Sequence, residues 1–168
     1  MLGSSAVSKR PLLIVAIVSG ILLLDQATKM LVVQMIELHH RIPIVASVFD
    51  LTHLRNPGAA FSLLAQAPDW FRQPFFFTVT GIAIIALSLF LFRVKEEGWL
   101  LTIAVSGILG GAIGNLIDRI VYGEVIDFLL FCWGEYCWPA FNVADSCITL
   151  GVIGLLWTSI RSPHTPIA

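Results

Sequence analysis

The sequence predicts an all-α integral membrane protein, a bundle of four transmembrane helices with a small extracytoplasmic β-element between helices 1 and 2. Three observations carry that expectation. Of 168 residues, 57% are hydrophobic and only 12% charged, at a mean hydropathy of +0.88, which leaves too little polar surface to coat a water-soluble globule. Two stretches, Gln73 to Phe92 and Gly98 to Ile117, carry no charge at all and match the roughly 20 residues needed to cross a bilayer core. Two further uncharged runs, Pro11 to Leu24 and Ser146 to Ile160, become long enough only by taking in an aspartate.

Taken in order, the first span runs from about residue 12 through Asp25 and Lys29 to about 36. Lys9 and Arg10 ahead of an apolar run imitate a secretory signal, but no small-x-small cleavage site follows, so an uncleaved span is expected. The outer connection, about 37–72, is rich in Ile, Val, Phe and Thr between Arg41 and Arg55, with partial alternation, and is bounded by Pro43 and by Asn56-Pro57-Gly58; this is the β-element. A second span follows at about 73–92 and a third at about 98–119. A second outer connection covers about 120–138, and a last span, about 139–160, contains Asp145. All of it reads as a single membrane domain, 1–168, with a disordered tail after Ser162.

Basic residues beside span ends set orientation. Lys9, Arg10, Arg93, Lys95 and Arg161 mark one side as cytoplasmic, with both termini inside, while Tyr122 to Cys137 carries three acids and no Lys or Arg. At about 1.5 Å of rise per residue, that orientation brings Asp25, Asn115, Asp118, Arg119, Asn142 and Asp145 to the outer third of the membrane, with Asp127 close behind. Trp70, Phe71, Trp133, Tyr136 and Trp138 fall where an interfacial aromatic belt belongs. Gly107 with Gly111, and Gly110 with Gly114, form overlapping G-x-x-x-G spacings that let a neighbouring backbone come close.

Several function classes drop out. A net charge of -1 with scattered basic residues gives no field for nucleic acid. Phosphate-binding glycine motifs are absent, His39, His40 and His53 lack metal-ligand spacing, and Ser62, Ser106 and Ser146 have no His or Lys partner at matching depth. Cys147 reads as a small buried thiol, and a Cys132–Cys137 disulfide is left open, since their segment faces an oxidising compartment.

An ionisable side chain inside a span costs about 2.5 to 3.5 kcal/mol on insertion scales, so each requires an explanation. Asp25 and Lys29 answer for each other as an i, i+4 pair, and Asp118-Arg119 fits an interfacial pair ending a helix. Asp127 and Asp145 have no basic neighbour in sequence, which leaves two readings: separate solvated carboxylates, or a pair sharing one proton and holding a hydrolytic water.

A set of blocks then stands out: Asp25-Gln26-Ala27-Thr28-Lys29, Asn56-Pro57-Gly58-Ala59-Ala60-Phe61-Ser62, Gly110 to Arg119, Val125-Ile126-Asp127-Phe128, and Phe141-Asn142-Val143-Ala144-Asp145-Ser146. In composition and order they resemble the signature blocks of the lipoprotein signal peptidases (signal peptidase II), across nearly the whole chain from about Leu12 to Ile160. The resemblance implies an inner-membrane aspartyl peptidase with Asp127 and Asp145 as catalytic pair, acting on the peptide bond before a diacylglyceryl-modified cysteine of a prolipoprotein. It implies that Asn56 and Arg119 hold the substrate backbone, that Asn115 and Asn142 line or support the site, and that Asp25, Lys29 and Asp118 support fold and site. Prolipoprotein and membrane lipid are the implied partners, a monomer the implied assembly, and no metal, nucleotide or redox cofactor is called for. The Cys132 to Cys137 segment departs from the plainer loop expected there, and Pro57 occupies a variable position. A proton- or cation-coupled transporter is the competing reading, which predicts carboxylates spread through the bilayer depth and an internal repeat; a non-catalytic scaffold held by glycine-packed helices is the third, and it leaves Asp127 and Asp145 unexplained.

Overall fold

A chain segment in lipid must satisfy its own backbone polar groups, which restricts it to helix. The computed structural model of the chain describes residues 9–58, 64, 66–93 and 98–161, and in it the apolar runs form α1 (Lys9–Met35), α2 (Asp69–Arg93), α3 (Trp99–Tyr122) and α4 (Val143–Arg161). All four are long and apolar enough to cross a membrane. Ala59 to Ser62, Lys95, Glu97 and the tail from Ser162 lie outside the described residues.

The third helix is the hub: α1, α2 and α4 all pack on it, and it is the only one whose apolar window is mostly buried among the described residues. The outer helices expose large apolar side chains such as Leu23, Ile82, Ile85 and Leu156, as a lipid-facing surface does. The two G-x-x-x-G spacings serve different neighbours. A Cβ on Gly111 would strike the Ala144 carbonyl oxygen of α4, and one on Gly114 would come within 2.7 Å of Asp25 Oδ2 on α1. Gly111→Ala is therefore expected to destabilise the bundle by about 1–3 kcal/mol, the usual cost of overpacking, read as a lower Tm in detergent; an unchanged Tm would mean that α3 and α4 do not approach this closely.

The expected β-element is present but larger than the sequence suggested. β1 (Arg41–Val45) and β2 (Phe49–Asn56) lie in the first outer connection, and β3 (Val125–Trp133) and β4 (Tyr136–Cys137) add strands from the second, giving an antiparallel sheet in the order β1-β2-β3-β4. The acidity of the second connection suggested a loop, whereas its run of Val, Ile, Phe, Leu and Trp has the β-branched and aromatic content of a strand. The sheet seats on one end of the bundle through Val32 and Ile36 of the first helical segment and its end, which pack with Ile126 and Phe128 of β3. Gly123, in the left-handed conformation at φ 76°, closes α3 with its N–H on Arg119 O and turns the chain sharply into β3. Four residues further on is Asp127.

Cys132 and Cys137 are disulfide-bonded across the β3–β4 pair. Cys147 is half-buried on α4 rather than fully enclosed.

Candidate active site

Asp25 and Lys29 lie one turn apart on α1, which puts them on one face, and α3 brings Asn115 and Asp118 opposite. Lys29 Nζ spends its three protons on Asp25 Oδ2 at 2.8 Å, Asp118 Oδ2 at 2.7 Å and Asn115 Oδ1 at 3.1 Å. Asp25 and Asp118 are both 0% exposed, so the ammonium is what makes two buried carboxylates tolerable there. Of the two readings of Asp118 and Arg119, the interfacial ion pair between them is not seen among the described residues. Adjacent helix positions point about 100° apart, and Asp118 turns inward to Lys29 while Arg119 turns to the cavity described below.

Each member of this cluster also binds backbone of the other elements. Asp25 Oδ1 accepts the Ala144 N–H at 2.9 Å, placing a carboxylate at the positive N-terminus of α4. Asp118 Oδ2 accepts the Ile126 N–H at 3.1 Å, which fixes the strand beside Asp127. Gln26 Nε2 bridges Asp25 Oδ2 and Asp118 Oδ1 at 3.1 and 3.0 Å, a role the sequence reading did not assign although a Gln inside an apolar helix is itself a signal.

On this platform stands a polar shell around Asp127 and Asp145. Asn142 caps α4: its Oδ1 accepts the Asp145 N–H at 2.9 Å, and its own N–H donates to Asp145 Oδ2 at 3.3 Å, the reciprocal geometry of a capping box. The Asn142 amide nitrogen then donates to Asp127 Oδ1 at 2.9 Å, so a single fully buried asparagine ties both acids together. Asn115 Nδ2 donates to Asp145 Oδ1 at 2.8 Å, and Asn56 Nδ2 to Asp127 Oδ2 at 3.0 Å. All four carboxylate oxygens thus receive one neutral donor each, and among the described residues neither acid is in a salt bridge.

Asp127 is 3% exposed. Burial and then the nearby Asp145 charge push its carboxyl up to about 7, against the opposing pull of Asn56, Lys29 and Asn142. Both acids line one cavity of about 770 Å³, whose walls are otherwise mostly apolar. Asn56, Asn115 and Arg119 line it as well, whereas Asn142, Asp25, Lys29 and Asp118 stand behind it. Arg119 reaches the Gly58 carbonyl at 2.9 Å and its own helix at Asn115 O, with its guanidinium 4.9 Å from the Phe76 ring centroid. Gly58 N donates in turn to Asn56 Oδ1 at 3.0 Å, so Arg119 and Asn56 grip the same short turn. Arg55, on the cavity wall above Tyr122, and the stretch Trp138 to Phe141 also line it; the sequence reading gave them no part.

A four-span membrane fold with two acids on one cavity wall, bound to neutral donors, fits a membrane-embedded hydrolase of the aspartic type. Comparison with known proteins makes this specific. Residues 17–161 match the family described as Signal peptidase (SPase) II. The chain is 46% identical over 154 residues to the lipoprotein signal peptidase of Syntrophus aciditrophicus (strain SB), covering 91% of this chain and 96% of that one. It is 48% identical over 149 residues to the lipoprotein signal peptidase of Syntrophotalea carbinolica (strain DSM 2380 / NBRC 103641 / GraBd1), covering 89% and 91%. A solved bacterial membrane enzyme, determined by the in meso method at 2.3 Å resolution, superposes with a TM-score of 0.80 at 28% identity over 93% of this chain and 94% of its own. The chain belongs to the signal peptidase II family, the aspartic peptidases of this membrane fold.

Proposed function

We infer that this chain is an intramembrane aspartyl endopeptidase that removes the signal peptide from diacylglyceryl-modified prolipoproteins, cutting before the lipidated cysteine, with Asp127 and Asp145 as its catalytic pair. The observation that carries the assignment of the pair is the shared cavity wall, where both carboxylates are held by neutral amides and joined through Asn142. One carboxylate takes a proton from a water that attacks the scissile carbonyl carbon, while the protonated partner donates to the carbonyl oxygen. Collapse of the tetrahedral intermediate breaks the C–N bond: the carboxyl that took the water's proton gives it to the leaving cysteine nitrogen, and the other carboxylate recovers its proton from the intermediate's hydroxyl. Arg119 and Asn56 flank this point and hold the substrate backbone, and Asn115 and Asn142 keep the acids in register. Asp25, Lys29 and Asp118 form the platform beneath.

The inner membrane is the proposed location, with both termini cytoplasmic and the cavity on the periplasmic side. Basic residues near one end of the bundle and a disulfide at the other support that orientation. Substrate held by two acyl chains and its own signal helix reaches such a cavity by lateral diffusion, so the membrane supplies part of the positioning. The enzyme is proposed to work as a monomer in contact with lipid. The transporter reading fails on the site itself, since the acids gather at one end of the bundle rather than along it, and on the family match.

The pH profile tests the pair. A carboxyl raised to about 7 carries the shared proton below that pH and loses it above. Turnover of purified enzyme on a lipidated prolipoprotein is therefore expected to fall by about tenfold per pH unit above an apparent pKa near 7, a macroscopic property of the dyad. A rate that keeps rising through pH 9 would contradict proton sharing.

A further inference from the structure

The hairpin that carries Cys132 and Cys137 has no part in the chemistry just described, yet it is covalently closed above the cavity. From Asp127 the chain climbs β3 to Cys132, crosses the disulfide to Cys137, and descends through Trp138 to Phe141 before reaching the Asn142 cap and Asp145. Trp138, Pro139, Ala140 and Phe141 all line the cavity. The lower end of this descending wall is anchored without the disulfide: Phe141 exchanges backbone hydrogen bonds with Leu129 at 2.8 and 3.1 Å, and its ring stacks on Phe131, which stacks on Phe49. The upper end joins the sheet through the short β4: it pairs with β3 at Cys132–Cys137 and Trp133–Tyr136, Trp138 donates its N–H to Phe131 O at 2.7 Å, and Trp133 and Tyr136 at the turn are 89% and 86% exposed. Pro139 has no N–H to contribute. A two-residue pairing is marginal in water by itself, so the covalent link adds a constraint that keeps β4, and the Trp138 to Ala140 stretch continuous with it, on β3.

We propose that Cys132 and Cys137 are positioning residues for substrate binding: by clamping β4 to β3, their disulfide holds the Trp138 to Ala140 wall of the cavity in the place where it packs on the apolar part of a bound prolipoprotein. This inference rests on the peptidase reading given above. The wall is separable from the chemistry, because Asn142 is held from below by Asn115 Oδ1, Ile126 O and Asp127, contacts that do not pass through the disulfide. Loosening the clamp thus weakens substrate binding and leaves the dyad assembled.

The test compares three forms of the purified full-length enzyme in detergent on a lipidated prolipoprotein: oxidised wild type, wild type reduced after folding, and the double variant Cys132→Ser, Cys137→Ser. Rates are normalised to folded, monodisperse protein, which the post-folding reduction secures even where the double variant folds poorly. Reduction is expected to raise KM about tenfold, equivalent to roughly 1.4 kcal/mol of lost binding, with kcat within about twofold. The double variant should match the reduced enzyme and be insensitive to reductant. An unchanged KM in the reduced folded enzyme overturns the proposal and leaves the disulfide a stabilising staple; so does a fall in kcat beyond about tenfold, which would place its effect on the dyad. Failure of the oxidised wild type to cleave at all would instead overturn the peptidase reading, and this inference with it.

Discussion

Asp127→Asn and Asp145→Asn should each reduce turnover of a lipidated prolipoprotein by on the order of 10³-fold or more while leaving a folded membrane protein. The change is nearly isosteric, and the surroundings accommodate it. Asn at 145 keeps an acceptor for the Asn142 N–H, so the α4 cap survives, and Asn at 127 keeps one for an amide donor of Asn142 or Asn56. What disappears is the ability of the pair to take a proton from water and return one to the carbonyl. With the two acids proposed to act in a single step, one on the water and one on the carbonyl, the double variant should be no worse than either single variant. Turnover near the wild-type rate in either single variant would remove that residue from the chemistry.

Lys29→Ala should produce the largest loss of stability, about 3–5 kcal/mol, because it strands two carboxylates where water does not reach. Asp25 and Asp118 are each bound to the same ammonium, and each also holds a backbone N–H, of Ala144 and of Ile126 respectively. Losing the lysine therefore loosens the junction of α1, α3, α4 and β3 together. The measurement is the melting temperature in detergent, expected to fall by several degrees or more, with kcat of the surviving folded fraction within about tenfold of wild type. A variant as stable as wild type but inactive would give Lys29 a direct part in catalysis.

The spans were legible because hydrocarbon allows so few alternatives: Gln73 to Phe92 and Gly98 to Ile117 could be little else. The first β-element was also legible, from its bounded run of β-branched residues. Its partner strand was not, since the pairing of Leu54 with Asp127 and of Arg55 with Ile126 is a contact between distant segments that no local pattern encodes. In the site, intramembrane cost singled out Asp25, Lys29, Asp118 and Asp145, the lack of a basic neighbour set Asp127 beside Asp145, and the i, i+4 spacing paired the first two. The identity of Asp118's partner was out of reach, because it depends on how α1 rotates against α3. Gln26 and the Trp138 to Phe141 wall were missed for the same reason: their roles come from what lies across the interface. The disulfide was left open by the sequence and is decided by the antiparallel register that sets Cys132 opposite Cys137.

Whether the two acids act on one reacting centre can be seen in an experimental structure with a lipidated peptide carrying a tetrahedral hydroxyl in place of the scissile carbonyl. The hydroxyl is predicted to lie between Asp127 and Asp145, within about 2.5–3.0 Å of an oxygen of each. A hydroxyl bound by only one of them, or seated away from both, would contradict the mechanism.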